Sequence, residues 1–208
     1  MDQLNPFASM LSLALALGWA SGLNLYATML MLGILGSTGS IVLPPGLLIL
    51  THPAVLMAAG FMYVVEFFAD KVPGVDSGWD VLHTFIRIPA GSVLAAASLW
   101  NVDPAVGLAA AILGGMLSAG SHAAKAGTRA LINTSPEPFT NWTASFFEDI
   151  LVIAGLWAAL SHPYLFLVFL FFFLLFIIWL IPRLWKAIGR LFQFFARLFG
   201  RGSQPAKS

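Results

Sequence analysis

The sequence predicts an all-α polytopic membrane bundle of about six transmembrane segments, and three observations predict it. Of the 208 residues, 59% are hydrophobic and the mean hydropathy is +0.89, against roughly 45–50% apolar content in a soluble domain. Only 9% are charged. The apolar segments follow one another with short connections, which leaves one transmembrane domain over residues 1–182, a basic amphipathic segment over 183–201 and a disordered tail over 202–208. The absence of cysteine excludes disulfides, thiolate metal sites and cysteine catalysis. A formal charge of +1 gives no nucleic-acid footprint.

Residues 7–36 form the first apolar run, longer than the roughly 20 residues that a straight span needs. Asp2 stands where a signal peptide carries basic residues, so the run reads as a retained first helix. Gly18, Ser21, Gly22 and Asn24 cluster at its middle. A long tilted helix packed through small residues accounts for them, and so does a helix broken at Gly22 that lines a cavity with Asn24. Residues 41–50 contain Pro44 and Pro45 and read as an interfacial loop. Thr51 and Pro53 then open a second span, which places Tyr63, Glu66 and Asp70 on one face. A third segment begins near Trp79 with Asp80, Thr84 and Arg87 on one face and His83 beside them. Pro89 interrupts it, so it either crosses or dips in and returns.

Pro104 opens a fourth, Gly- and Ala-rich helix whose second half carries Ser118, His122, Lys125 and Arg129 as one stripe. A fifth span starts near Asn141 with Ser145, Glu148 and Asp149 along one side. Residues 164–181 are uncharged and dominated by Phe and Leu, the clearest lipid-facing span. Beyond Pro182, Arg183, Lys186, Arg190, Arg197 and Arg201 share a face opposite an apolar one, a pattern suited to an anionic membrane surface. If all six segments cross, all ten Lys and Arg fall on the side of the C-terminus. The positive-inside rule then puts both termini in the cytoplasm.

Under that topology the polar stripes meet in one cytoplasm-facing cavity. Its candidate substrate- or ion-binding residues are Asn24, Glu66, Asp70, Asp80, His83, Arg87, His122, Lys125, Arg129, Asn141, Ser145, Glu148 and Asp149. Ionisable groups at membrane depth must pair or reach water. Ion pairs between helices, such as Glu66 or Asp70 with Arg87 and Glu148 or Asp149 with Lys125 or Arg129, satisfy part of this set. Carboxylates remain in surplus, which favours a cation or proton site, although the basic stripe would also grip a phosphate or carboxylate. A divalent cation (Mg²⁺, Ca²⁺ or Mn²⁺) would draw on Glu66, Asp70, His122, Glu148 and Asp149, with no compact ligand spacing to mark it. No nucleophile elbow surrounds Ser121 or Ser145, so no catalytic residue is assigned. EFFAD at 66–70 matches SFFED at 145–149, and SGLN at 21–24 loosely matches AGSH at 119–122, which suggests a 3+3 inverted repeat.

The motifs SGLNLY, VEFFADKVPGVDSGWD, RIPAG, HAAKAGTR, SPEPFTN and SFFED, in that order, resemble a bacterial integral-membrane family known as domain of unknown function 4126. The resemblance covers most of the first 160 residues, less so the Phe-rich sixth helix and basic tail. It implies the site residues and a place in a bacterial inner membrane, and no substrate. The expectation is therefore a transporter or channel-like protein, in the lipid bilayer and with a homo-oligomer open, that moves a cation or a proton-coupled solute. Handling of a phosphate-bearing lipid and a non-catalytic scaffold are the alternatives, and an enzymatic role is disfavoured.

Overall fold

Long apolar segments punctuated by proline and capping residues give helices throughout. The computed structural model describes residues 4–72, 74–134 and 138–199. It consists of α1 (Leu4–Ser37), a short 3₁₀ helix (Pro45–Thr51), α2 (Pro53–Ala69), α3 (Val75–Leu99), α4 (Pro104–Ile132), α5 (Pro138–Ser161) and α6 (Pro163–Phe199). Five of these are long and apolar enough to cross a membrane, and the 3₁₀ helix with α2, bent by 69°, makes a sixth. Glu137 and the expected tail at 202–208 lie outside the described residues.

The first helix settles the alternative left open by its sequence. Asn24 has φ −148° and ψ 97°, so α1 is two helices joined at a kink and not one tilted rod. The break falls two residues after Gly22. Its chemistry is that of a helix start: Asn24 Oδ1 accepts the Ala27 N–H at 2.9 Å, as an N-cap does. In an unbroken helix that N–H would bond Leu23 O, so the cap frees a carbonyl deep in the bundle. The second arm then runs antiparallel to α2, with Leu30 beside Gly60 and Gly33 against Leu56 and Leu50.

Both arms of α1 lead to the same end of the bundle. Ser9, Met10 and Leu13 of the first arm line one cavity, about 650 Å³, together with Ile41–Pro45 just after the second arm. Ser98, Asn101, Val102, Ala159 and Leu160, from the α3–α4 and α5–α6 corners, complete it. Ser12 Oγ also donates to Ala159 O. α6 leaves from the opposite end, where Leu184 packs on Gly127. The start of α1 and the 184–190 part of α6 therefore sit at opposite ends of the bundle. The Asn24 turn makes α1 a dip and return, the broken form of the first segment that the sequence left open.

Close approach of α1, α3 and α4 is built on glycine. A Cβ on Gly18 would strike the Gly114 backbone, one on Gly22 would strike Ser118 and Ser121, and one on Gly91 would strike Ser118. Trp19, fully buried, packs edge-on to Phe166, Phe169 and Phe173 of α6 at centroid distances of 5.3–5.9 Å, and against Gly155 of α5. The outer face of α6, with Phe171 and Phe172, stays exposed as a lipid-facing helix requires.

The remaining expectations divide. α3 is continuous from Val75 to Leu99 through Pro89, long enough to cross. Ser118 Oγ donates to the Arg87 carbonyl, which ties α4 to α3 two residues before that proline. His52, not Thr51, caps α2. The segment read as an interfacial loop is the 3₁₀ helix, with Leu47 and Leu50 buried and Gly46 against the Ala97 carbonyl. α6 continues as one helix past Pro182.

Candidate functional site

The polar stripes converge around the break in α1. Asn24, Glu66, Asp70, Asp80, His83, Arg87, His122, Lys125, Arg129, Asn141, Ser145 and Asp149 are all buried, and the Glu148 side chain is 16% exposed. Three cations organise them. Arg87 of α3 donates to Glu66 Oε1 at 2.6 Å and Asp80 Oδ1 at 3.2 Å, and its NH1 also reaches the Gly22 carbonyl at 3.4 Å. Lys125 of α4 sits 2.8 Å from Asp70, 3.4 Å from Glu66, 3.6 Å from Glu148 and 3.9 Å from Asp80. It also donates to the freed Leu23 carbonyl at 3.2 Å. Arg129 grips Glu148 through NH2 at 2.8 Å and Nε at 3.4 Å, and donates to the carbonyls of Asp70 and Asn141.

The helix break is thus wired into the charge cluster from both sides. Its carbonyls face Arg87 and Lys125, and Asn24 Nδ2 donates to Asp149 Oδ1 at 3.0 Å. Unwound backbone at membrane depth survives where protein groups satisfy it. Here the satisfying groups are the charged ones.

Histidine roles follow from what their partners can do. An arginine only donates, so His122 Nδ1, 3.2 Å from Arg87 NH1, accepts. Its Nε2 then carries the proton and donates to Thr84 Oγ1 at 2.8 Å. Thr84 donates onward to the Asp80 carbonyl. An apolar cavity of about 460 Å³ between α3, α4 and α6 reaches this chain at Thr84 and His122. His83 stands apart from the ion pairs, bonded to Tyr26 Oη at 3.0 Å and stacked on Trp79.

Just past the end of α2, Lys71 lies over the Phe67 ring and donates to Ser145 Oγ at 3.4 Å. Burial lowers its ammonium below the usual lysine value, against the opposing pull of Asp149 and Asp70. Burial alone would raise the Asp70 carboxyl, but Lys125 and Arg129 outweigh it and hold the group below the ordinary aspartate range.

Two residues the sequence reading assigned to other roles belong here. Asp76, read as part of a turn, is fully buried in the first turn of α3 and accepts from Gly74 N, Ser77 N and Asn133 Nδ2. Tyr26, hidden in an apolar run, meets His83. The signal for Asp76 was its place just after Gly74, whose φ of 87° fixes the turn into α3. Nothing in its neighbourhood marks Tyr26.

The carboxylates outnumber their partners. Glu66, Asp70, Asp76, Asp80, Glu148 and Asp149 face Arg87, Lys125, Arg129 and Lys71, and Glu66 Oε2, Asp70 Oδ1, Asp76 Oδ2 and Asp80 Oδ2 are buried with no hydrogen-bond partner. Arg87 Nε and Asn141 Oδ1 are likewise unpartnered. Among the described residues no three of the His, Asp and Glu side chains are placed to hold a metal ion. The suggested set of Glu66, Asp70, His122, Glu148 and Asp149 does not converge: His122 is turned to Arg87 and Thr84, Asp149 is held by Asn24, and Lys125 fills the space between the others.

The family model for a domain of unknown function, DUF4126, matches residues 11–183. The chain belongs to this family. The match reaches beyond the motif-bearing residues through the Phe-rich part of α6, so that part of the helix belongs to the family unit. No curated protein and no solved structure matches the chain.

Proposed function

We propose that the protein is a membrane transporter or channel-like protein that moves a cation or a proton-coupled small solute through the charged centre at the α1 break. One observation carries this reading: a discontinuous helix meets a buried cluster in which three carboxylates, Glu66, Asp70 and Asp80, each keep an oxygen with no hydrogen-bond or ion-pair partner. Broken helices at mid-membrane supply carbonyls to transported ions, and intramembrane carboxylates in surplus are where protons or cations are taken up. A purely structural lock would have no use for unpaired oxygens, each of which costs free energy to bury. With Arg183, Lys186 and Arg190 at the cluster's end of α6, the positive-inside rule turns that end to the cytoplasm and the start of α1 to the other side.

Purified protein in proteoliposomes tests this. Under an imposed pH gradient and membrane potential, wild type should dissipate the gradient faster than protein-free vesicles, and folded Glu66→Gln and Asp149→Asn should lose that flux. Flux unchanged in both folded variants would remove the centre from any transport role.

That Arg87, Lys125 and Arg129 are each paired with carboxylate favours one other reading, a scaffold whose charges only join helices. It predicts the opposite outcome, no flux in wild type.

A further inference from the structure

We propose that the cavity of about 460 Å³ between α3, α4 and α6 binds a neutral, single-chain amphiphile whose polar end is a hydroxyl group, taken up from the surrounding lipid. Its size falls within the range of small-molecule pockets, roughly 300–1,000 Å³. The room comes from α4, which presents Ala119, Ala123 and Ala126 at helical spacing toward Ile88 of α3 and Ile181 and Ile188 of α6. Side chains this small leave open a gap that larger ones would close. The site lies outside the ion pairs and does not depend on the transport reading.

The ligand comes from the bilayer because the cavity opens toward it. Trp185, 72% exposed, and Ala123, also exposed, both line the cavity. On the same three helices Phe85, Met116 and Ile178 are exposed and apolar, as lipid-facing residues are. Lipid tails are as apolar as this wall, so burial of a chain alone selects nothing. The polar end sets the specificity.

That end is fixed by what the wall offers. Among the described residues no charged side chain lines the cavity. Arg87 and Asp80 stand behind the wall, bonded to each other, with Arg87 also bonded to His122. A charged head would lose its hydration there with no counter-charge to replace it, so the head is neutral. Apart from the Trp185 indole, the polar lining is Thr84 and His122, the latter 3% exposed. Both ring nitrogens of His122 are committed, to Arg87 and to Thr84. Thr84 Oγ1 accepts from His122 and gives its own proton to the Asp80 carbonyl. A hydroxyl oxygen has two lone pairs, so one is left at Thr84, and it accepts. The ligand must therefore donate, which selects an O–H over an ester, ketone or ether oxygen. Occupancy reaches the charged centre along the same chain, from Thr84 to His122 to Arg87, whose NH1 meets the Gly22 carbonyl near the α1 break.

Photolabelling of the full chain in liposomes tests the site. The probe is 1-decanol carrying a diazirine in mid-chain, and mass spectrometry locates the label. Unlabelled 1-decanol, decyl methyl ether, decanoate and decylammonium compete at equal concentrations in the membrane. The label should saturate and fall on the cavity wall. 1-Decanol should displace it about two- to tenfold more effectively than the ether, the difference made by one hydrogen bond, and more effectively than either ion. Thr84→Val keeps the shape, removes the acceptor and frees the His122 Nε2–H, so it should keep the label and remove or reverse the preference for alcohol over ether. Ala123→Leu, which fills the cavity, should lose the label while its unfolding midpoint stays near that of wild type.

Label that does not saturate, or that spreads over the lipid-facing helices, overturns the proposal. Equal displacement by alcohol and ether in wild type does the same, as does stronger displacement by decanoate or decylammonium, or an alcohol preference that survives Thr84→Val. If Ala123→Leu fails to fold, Ala126→Leu is read in its place, and full labelling of the folded variant overturns the site. If neither folds, the wild-type competition decides alone. These are binding readouts, so their failure leaves the flux test of the transport reading untouched.

Discussion

Replacing Asn24 by alanine removes two bonds of different kind from the α1 break, and a serine control separates them. The first is the cap, Asn24 Oδ1 to the Ala27 N–H, worth about 1 kcal/mol. The second is Nδ2 to Asp149 Oδ1 across to α5, at 2% exposure of Asn24. Hydrogen bonds between membrane helices average about 0.6 kcal/mol, and charge-assisted ones reach about 1.5–3, so about 1–2 kcal/mol is expected here. Asn24→Ala should therefore cost about 2–3 kcal/mol in all. Asn24→Ser keeps an acceptor for Ala27 but cannot reach Asp149, and should cost about 1–2 kcal/mol. Thermal unfolding in detergent followed by circular dichroism reads both. At about 2–4 °C per kcal/mol for a chain of this size, the alanine midpoint falls by about 4–12 °C and the serine midpoint by about half as much. Equal losses in the two variants would show that the cap contributes nothing. Losses under about 0.5 kcal/mol in both would refute the view that this side chain organises the break.

Glycine contacts and pH supply the other predictions. Gly114→Ala should destabilise by about 1–3 kcal/mol, because its Cβ meets Ala95 and the Gly91 carbonyl, whereas Gly78→Ala, with open space around it, should be neutral or stabilising by about 0.5–1 kcal/mol; matching effects in the same unfolding assay would deny that α3 and α4 meet through Gly114. Asp70 is held below its ordinary range by Lys125 and Arg129. Its contribution is therefore fully present above the unfolded value of about 3.9 and declines as pH falls from there through the folded value. Unfolding midpoints between about pH 5 and pH 2.5 should fall more steeply for wild type than for Asp70→Asn, and parallel curves would refute the assignment.

Much of this site was legible in the sequence because charge is costly in a membrane. Glu66, Asp70, Asp80, Arg87, His122, Lys125 and Arg129 stood out against an apolar background, and helical spacing put each set on one face. Burial and pairing then brought those faces together. Pair identities were less legible, since they depend on rotation and depth: Glu66 took Arg87 as expected, while Asp70 took Lys125. The path of α1 was not fixed by its composition. Gly18, Gly22 and Ser21 suit tight packing and a break equally well, and what selects the break is the tertiary partnership of Asn24 with Asp149 and of Leu23 O with Lys125.

The most direct test of the central claim is electrical. Wild-type protein in liposomes adsorbed on a solid-supported membrane should give a transient current on a step in pH or in potassium or ammonium concentration, and folded Glu66→Gln should abolish it. Wild-type currents no larger than those of protein-free liposomes, under every one of these steps, would contradict the account.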